Sequence, residues 1–425
     1  MSVGAKILMI AISFSLPIAV LAYLMVVSIN ANLAFATAEI AGNEYLRPLQ
    51  RTLQRVQDHQ WIAATCTGPE DGCDQKLATI REQVQDALGQ LAMINIRHGT
   101  GLKFTADELA KRGRQHQTAL TVSEEWKEAA ASGARIPPEK YQHLIADLRT
   151  MITHAGDTSN LILDPDLDSY YLMDVTLLAL PQTEDRMGAV AIETMRALRG
   201  KPTDAERVSV AVAAALLRED RTRVVASTET ALNEDANFYG SSPTLRAGLE
   251  TPLKKYRDAA IRLEELTQQA SAPNSKVAPE DYAQAGVAAR QAAFEYWDAG
   301  VAELDVLLEA RLDHYRGSRT QSLLWSGLAL LLSCGQSFYF MRSITTPLSK
   351  LIQSLGPGAT LLSECVGRIS EVSQGQTVDP MEAKIICGEL DAHADSMRKA
   401  VLELAKHVSG GGDMEPAELA SSKRS

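Results

Sequence analysis

Arg47, Arg51 and Arg55 recur at every fourth position. On a helix they would stack three guanidinium groups on one face, an arrangement suited to gripping a carboxylate or another anion through charge-assisted hydrogen bonds. At about 100° per residue, that face lies roughly opposite the row formed by Leu46, Leu49, Leu53 and Val56. If the leucine row faces the protomer's own core, the arginines face either solvent or a second subunit, where they would form an anion site at a dimer interface. Pro48 falls within this stretch and is expected to disturb the helix, leaving local backbone groups open.

The segment Leu163-Asp164-Pro165-Asp166-Leu167-Asp168-Ser169-Tyr170-Tyr171-Leu172-Met173-Asp174 is the most distinctive in the chain. Asp164 suits a helix N-cap, Pro165 suits the first helical position, and Asp166 and Asp168 put negative charge where the helix dipole favours it. Alternating Asp also suits a calcium loop, but such a loop needs Gly at its sixth position and Glu at its twelfth, where Ser169 and Val175 stand. The functional alternative is a ligand-facing role for Tyr170, Tyr171 and Asp174, which a helix brings close together.

Cys66 and Cys73 bracket a turn-rich connector. A disulfide there would pin two helix ends together and contribute roughly 2 kcal/mol; the alternative is two unpaired thiols in a loop. Cys334 lies in an apolar run and Cys365 and Cys387 lie beyond it, so only the first pair shares a potentially oxidising compartment. The His residues are scattered, and no metal-binding His pair, Gly-rich phosphate loop or nucleophile elbow occurs. The expectation is therefore a protein that is not an enzyme and has no metal and no cofactor.

The elements that must position these residues are helical. Hydrophobic residues make up 45% of the chain and aromatic residues only 5%, while Ala, Leu, Glu, Gln and Arg recur throughout. These unbranched side chains lose little rotamer freedom in helices, so the fold class expected is all-α. A net charge of -11 without a basic tract excludes a general nucleic-acid binder.

Bundle seams at three- and four-residue steps run through Leu77, Ile80, Val84, Leu88 and Leu91, through Leu253, Tyr256, Ala260 and Leu263, and through Phe294, Trp297, Val301, Leu304 and Leu308. Turn-rich clusters near residues 66–74, 97–103, 132–138, 200–203, 236–243 and 271–279 separate the helical pieces, and about eight helices would make two stacked four-helix modules.

Two apolar runs flank this region. Ile7 to Ile29 carries no charge and, at about 1.5 Å per residue, can cross a hydrocarbon core of roughly 30 Å. Leu323 to Met341 has Trp325 and Tyr339 towards its ends and is closed by Arg342. Lys6, Arg342 and Lys350 on one side, against Glu39 and Glu44 on the other, put both termini in the cytoplasm. A rival reading makes the first run a cleaved signal peptide ending at Ala34-Phe35-Ala36, although the run is long for that role.

The resulting plan is a cytoplasmic N-terminus at 1–6, membrane helices at 7–29 and 322–341, and an extracytoplasmic helical domain at 30–321. Cytoplasmic amphipathic helices at 342–408 and a disordered tail at 409–425 complete it.

This order of elements resembles the sensory half of methyl-accepting chemotaxis proteins and related membrane sensor kinases. The text EYLRPLQRTLQ after the first run, LILDPDLDSYYLMD in mid-domain, and Arg342-Ser343-Ile344-Thr345-Thr346-Pro347-Leu348 after the second run carry the likeness. The last of these is similar to the opening of a HAMP signal-relay helix, in which Arg342 and Pro347 would serve the relay.

The resemblance implies a dimeric receptor in a bacterial inner membrane, whose periplasmic bundle binds a small solute and moves the second span. The chain departs from that pattern after Leu355-Gly356-Pro357-Gly358, where the acidic-x-Gly signature of a second HAMP helix is replaced by Ala359-Thr360-Leu361-Leu362. The remaining residues are too few for a methylated hairpin or a kinase. Output is then expected through a separate cytoplasmic partner or a full-length receptor; the alternative is a non-sensing membrane scaffold or decoy that forms mixed dimers with such receptors.

Overall fold

The computed structural model describes residues 3–66, 72–131 and 136–373, with scattered helical positions between 381 and 399. All the regular structure among the described residues is helical, so the protein is all-α. In chain order the helices are α1 (Val3–Thr65), α2 (Cys73–His98), α3 (Ala106–Ala110), α4 (Ala119–Ala131) and α5 (Pro138–Thr158). They continue with α6 (Leu167–Met173), α7 (Leu180–Arg199), α8 (Asp204–Glu234), α9 (Leu245–Ala270) and α10 (Pro279–Ser373). The last part of the amphipathic stretch expected at 342–408, from residue 400 on, and the tail at 409–425 lie outside the described residues.

The chain divides into two compact units, Val27–Thr320 and a smaller one formed by Met1–Val26 with Gln321–Ser425. The smaller unit holds the apolar runs, and α1 and α10 are each long and apolar enough there to cross a membrane. Within it, the Ser15 and Ser333 hydroxyls share a hydrogen bond of 3.0 Å.

The larger unit folds around the seams expected from the periodicity. Leu46, Leu49, Leu53 and Val56 are fully buried, as are Trp297, Val301, Leu304 and Leu308. Pro48 does not break α1: the helix runs through it, and the Thr52 hydroxyl donates to the Pro48 carbonyl at 2.7 Å. Burial on both sides of this stretch outweighs the one backbone donor that proline removes. At Gly42, α1 approaches the end of α5 so closely that a Cβ would stand 2.2 Å from Ser159 Oγ.

Two breaks fall outside the turn-rich clusters. One lies between α3 and α4. The other, between α5 and α6, runs through a short 3₁₀ turn at Leu161–Leu163. Asp166, in extended backbone conformation, is the N-cap of α6, so the helix begins two residues later than the Asp164/Pro165 reading expects. After α6, a π-helical segment at Asp174–Ala179 leads into α7. Pro181, in the first turn of α7, has no N–H for the Leu177 carbonyl and its ring crowds that turn, which favours the wider winding. Gly156 of α5 makes room for this segment, since a Cβ there would meet Leu177 Cδ2 at 2.4 Å.

Candidate functional site

One open groove of about 1170 Å³ is built where three helix ends meet: the C-terminal end of α1, the N-terminal half of α5 and the C-terminal half of α7. Local chemistry fixes each wall. Cys66 and Cys73 form the expected disulfide, with Cα atoms 5.9 Å apart, and tie the end of α1 to the start of α2. Arg199 donates to the Thr65 carbonyl at 2.9 Å, which joins the end of α7 to the end of α1. A capping box closes the far side: Thr203 Oγ1 accepts from the Glu206 N–H, and the Glu206 carboxylate accepts from the Thr203 N–H.

The groove is lined by apolar Ile136, Ile145 and Ile192, and by Arg149, Arg196, Arg199 and Lys201 set against Asp185, Glu193 and Glu206. Arg149 is paired with Asp185. The cap at Thr203 holds the Glu206 carboxyl below its usual range. Apolar side chains with a small excess of basic over acidic ones suit a small solute that has an apolar body and one anionic group. The sequence carried a usable signal here in Arg196, Arg199 and Lys201 around the helix-stopping Gly200, but the walls supplied by α1 and α5 come from distant parts of the chain.

The arginines singled out by spacing lie elsewhere. Arg47 pairs with Asp305 of α10, Arg51 donates to Gln90 Oε1 of α2 at 3.0 Å, and Arg55 meets Asp58 at 3.3 Å. Asp298 of α10, held by Gln50 at 3.0 Å, feels all three guanidinium charges; burial raises its pKa and those charges oppose the rise. Each arginine of the row therefore has an intramolecular partner, Arg47 on α10, Arg51 on α2 and Arg55 on α1 itself.

Tyr170 and Tyr171 pack edge to face with ring centroids 5.5 Å apart. Asp174 accepts from Arg223 at 2.5 Å and from Ser227 at 3.0 Å, so it joins the π-helical segment to α8. Arg342 and Pro347 both lie inside α10, which continues through them without a break.

The aspartates of the distinctive segment surround a residue the sequence did not point to. Arg311 of α10 is 1% exposed. It donates to Glu39 of α1 at 2.7 Å, to Asp164 at 2.5 Å and to Ser169 Oγ at 2.5 Å, and its Nε lies 2.6 Å from Asp166. Asp164 also accepts from the Asp166 N–H at 3.0 Å and from Ser169 Oγ at 2.9 Å. Asp164 is thus a ligand of a buried arginine rather than the cap of α6.

More carboxylates gather here than one guanidinium can neutralise. Burial pushes Glu39 up to about 8 despite the opposing pull of Arg311. Asp168 rises to about 6, again through burial. A second buried acid, Glu184 of α7, is also raised to about 8 by burial, with Arg290 of α10 opposing from 3.8 Å.

No protein-family model, curated protein or solved structure matches the chain.

Proposed function

We propose that this chain is a two-pass inner-membrane sensor, whose helical unit at Val27–Thr320 binds a small periplasmic solute in the groove between α1, α5 and α7. The observation that carries the reading is the groove itself, because α1, which supplies one of its walls and shares the buried Arg311 cluster with α10, also carries the first apolar run, and α10 carries the second. In this reading the unit is two stacked four-helix modules, both chain ends are cytoplasmic, and the relay leaves through Arg342 and Pro347 to a cytoplasmic partner. Ligand binding shifts the equilibrium between two arrangements only by its differential affinity for them, typically 1 to 3 kcal/mol in allosteric systems. A homodimer is part of the proposal, and the exposed row Val208, Val212 and Leu216 on α8 offers it an apolar face.

The test is thermal unfolding of the full chain in nanodiscs against amino acids, organic acids, nucleobases and polyamines, since a ligand that prefers the native state raises the midpoint. A saturable rise for an anionic solute, lost in Arg196→Glu and kept in Arg51→Ala, is the expected result. A well-folded protein that responds to nothing in the panel would overturn the sensing reading and leave a membrane scaffold.

A further inference from the structure

Away from the groove, α4 and α5 bring three metal-ligating side chains together. Glu125 stands on α4, and His143 and Asp147 stand one turn apart on α5. His143 Nδ1 lies 3.4 Å from Glu125 Oε2 and 3.5 Å from Asp147 Oδ2. The three donor atoms lie within 4.8 Å of one another.

This is more than a group of acids on a surface. Asp147 is only 6% exposed, yet its Oδ2, like Glu125 Oε2, accepts no hydrogen bond. Its other oxygen accepts from Gln117 Nε2 at 2.7 Å, so Gln117 locks the carboxylate with Oδ2 turned towards Glu125 and His143. That is the outer partner expected behind a metal-ligating carboxylate. A buried carboxylate oxygen without a donor is costly, and a cation would remove the cost.

We infer that Glu125, His143 and Asp147 form a binding site for a first-row divalent transition metal ion of the zinc class. One imidazole nitrogen with two carboxylate oxygens fits such an ion, whereas calcium and magnesium favour all-oxygen shells. Donor atoms sit about 2.0 to 2.2 Å from zinc, so the exposed His143 ring closes in when the ion enters. Three protein ligands leave at least one position for water. The site would fasten α4 to α5, the helix that also supplies Ile145 and Arg149 to the groove.

The experiment is equilibrium dialysis of the EDTA-stripped full chain in detergent, with thiols alkylated, against Zn²⁺ alone, and against Co²⁺ for its visible spectrum. One ion per chain is expected, with a Co²⁺ spectrum of nitrogen and oxygen ligation and no displacement by millimolar Mg²⁺. His143→Ala and Glu125→Gln should each weaken binding at least tenfold while leaving the helical circular dichroism unchanged, and Gln117→Ala should weaken it less. Stoichiometry and affinity unchanged in both His143→Ala and Glu125→Gln, or no saturable binding by the wild-type chain, would overturn the inference.

Discussion

At the scale of single residues, Arg311 holds the larger unit together most visibly. It is buried with Glu39, Asp164, Asp166 and Ser169 around it. Removing the guanidinium leaves buried carboxyl groups without their counter-charge, which costs about 3 to 5 kcal/mol. Arg311→Ala should therefore lower the unfolding free energy of the full chain, measured by urea titration in detergent, by about 3 to 5 kcal/mol. Arg311→Lys, which keeps the charge but not the planar fork, should fall in between. The aspartate side of this cluster was legible in the sequence as an unusual run, and its preference for a helix start was read correctly in kind. Its counter-charge was not, because Arg311 lies more than 140 positions further on and a lone arginine in a helical pattern carries no signal of burial. The Glu125, His143 and Asp147 group was hidden for a similar reason: only the His143–Asp147 spacing is local, and the third ligand comes from another helix.

At the scale of elements, the periodicity was sufficient. The leucine row of α1, the row of α2 and the aromatic row of α10 are buried almost without exception, because a seam is a repeated local pattern and the core requires it. Breaks were less legible where one residue makes the turn than where Gly and Pro cluster, as between α3 and α4, where Gly113 stands alone among polar and charged residues with a φ of 66°. Close approach was not legible at all. Gly42 reads as an ordinary helix-weakening residue, yet it lets α1 meet the end of α5. Gly42→Ala places a methyl group 2.4 Å from Ser159 Cβ, so it should destabilise the chain by about 1 to 3 kcal/mol on thermal or urea unfolding. Ser159→Gly in the same chain should restore part of the loss, which separates overpacking from an effect on helix propensity, since alanine alone would favour the helix.

At the scale of the whole molecule, the buried acids tie stability to pH. Glu39 and Glu184 rise from 4.5 to about 8 in the fold, so between those values the folded chain holds protons that the unfolded chain has lost. Stability from these groups is then greatest below about pH 4.5 and is lost as pH rises towards 8, by about 1 kcal/mol per pH unit for each group. The full chain in detergent should melt higher at pH 5.5 than at pH 8.5, and Glu184→Gln should flatten the slope. Folding near neutrality is consequently a chemical reaction with a proton among its reactants. About two protons leave the surrounding water each time this unit forms and return when it opens. A more acidic medium would favour the folded unit by mass action alone.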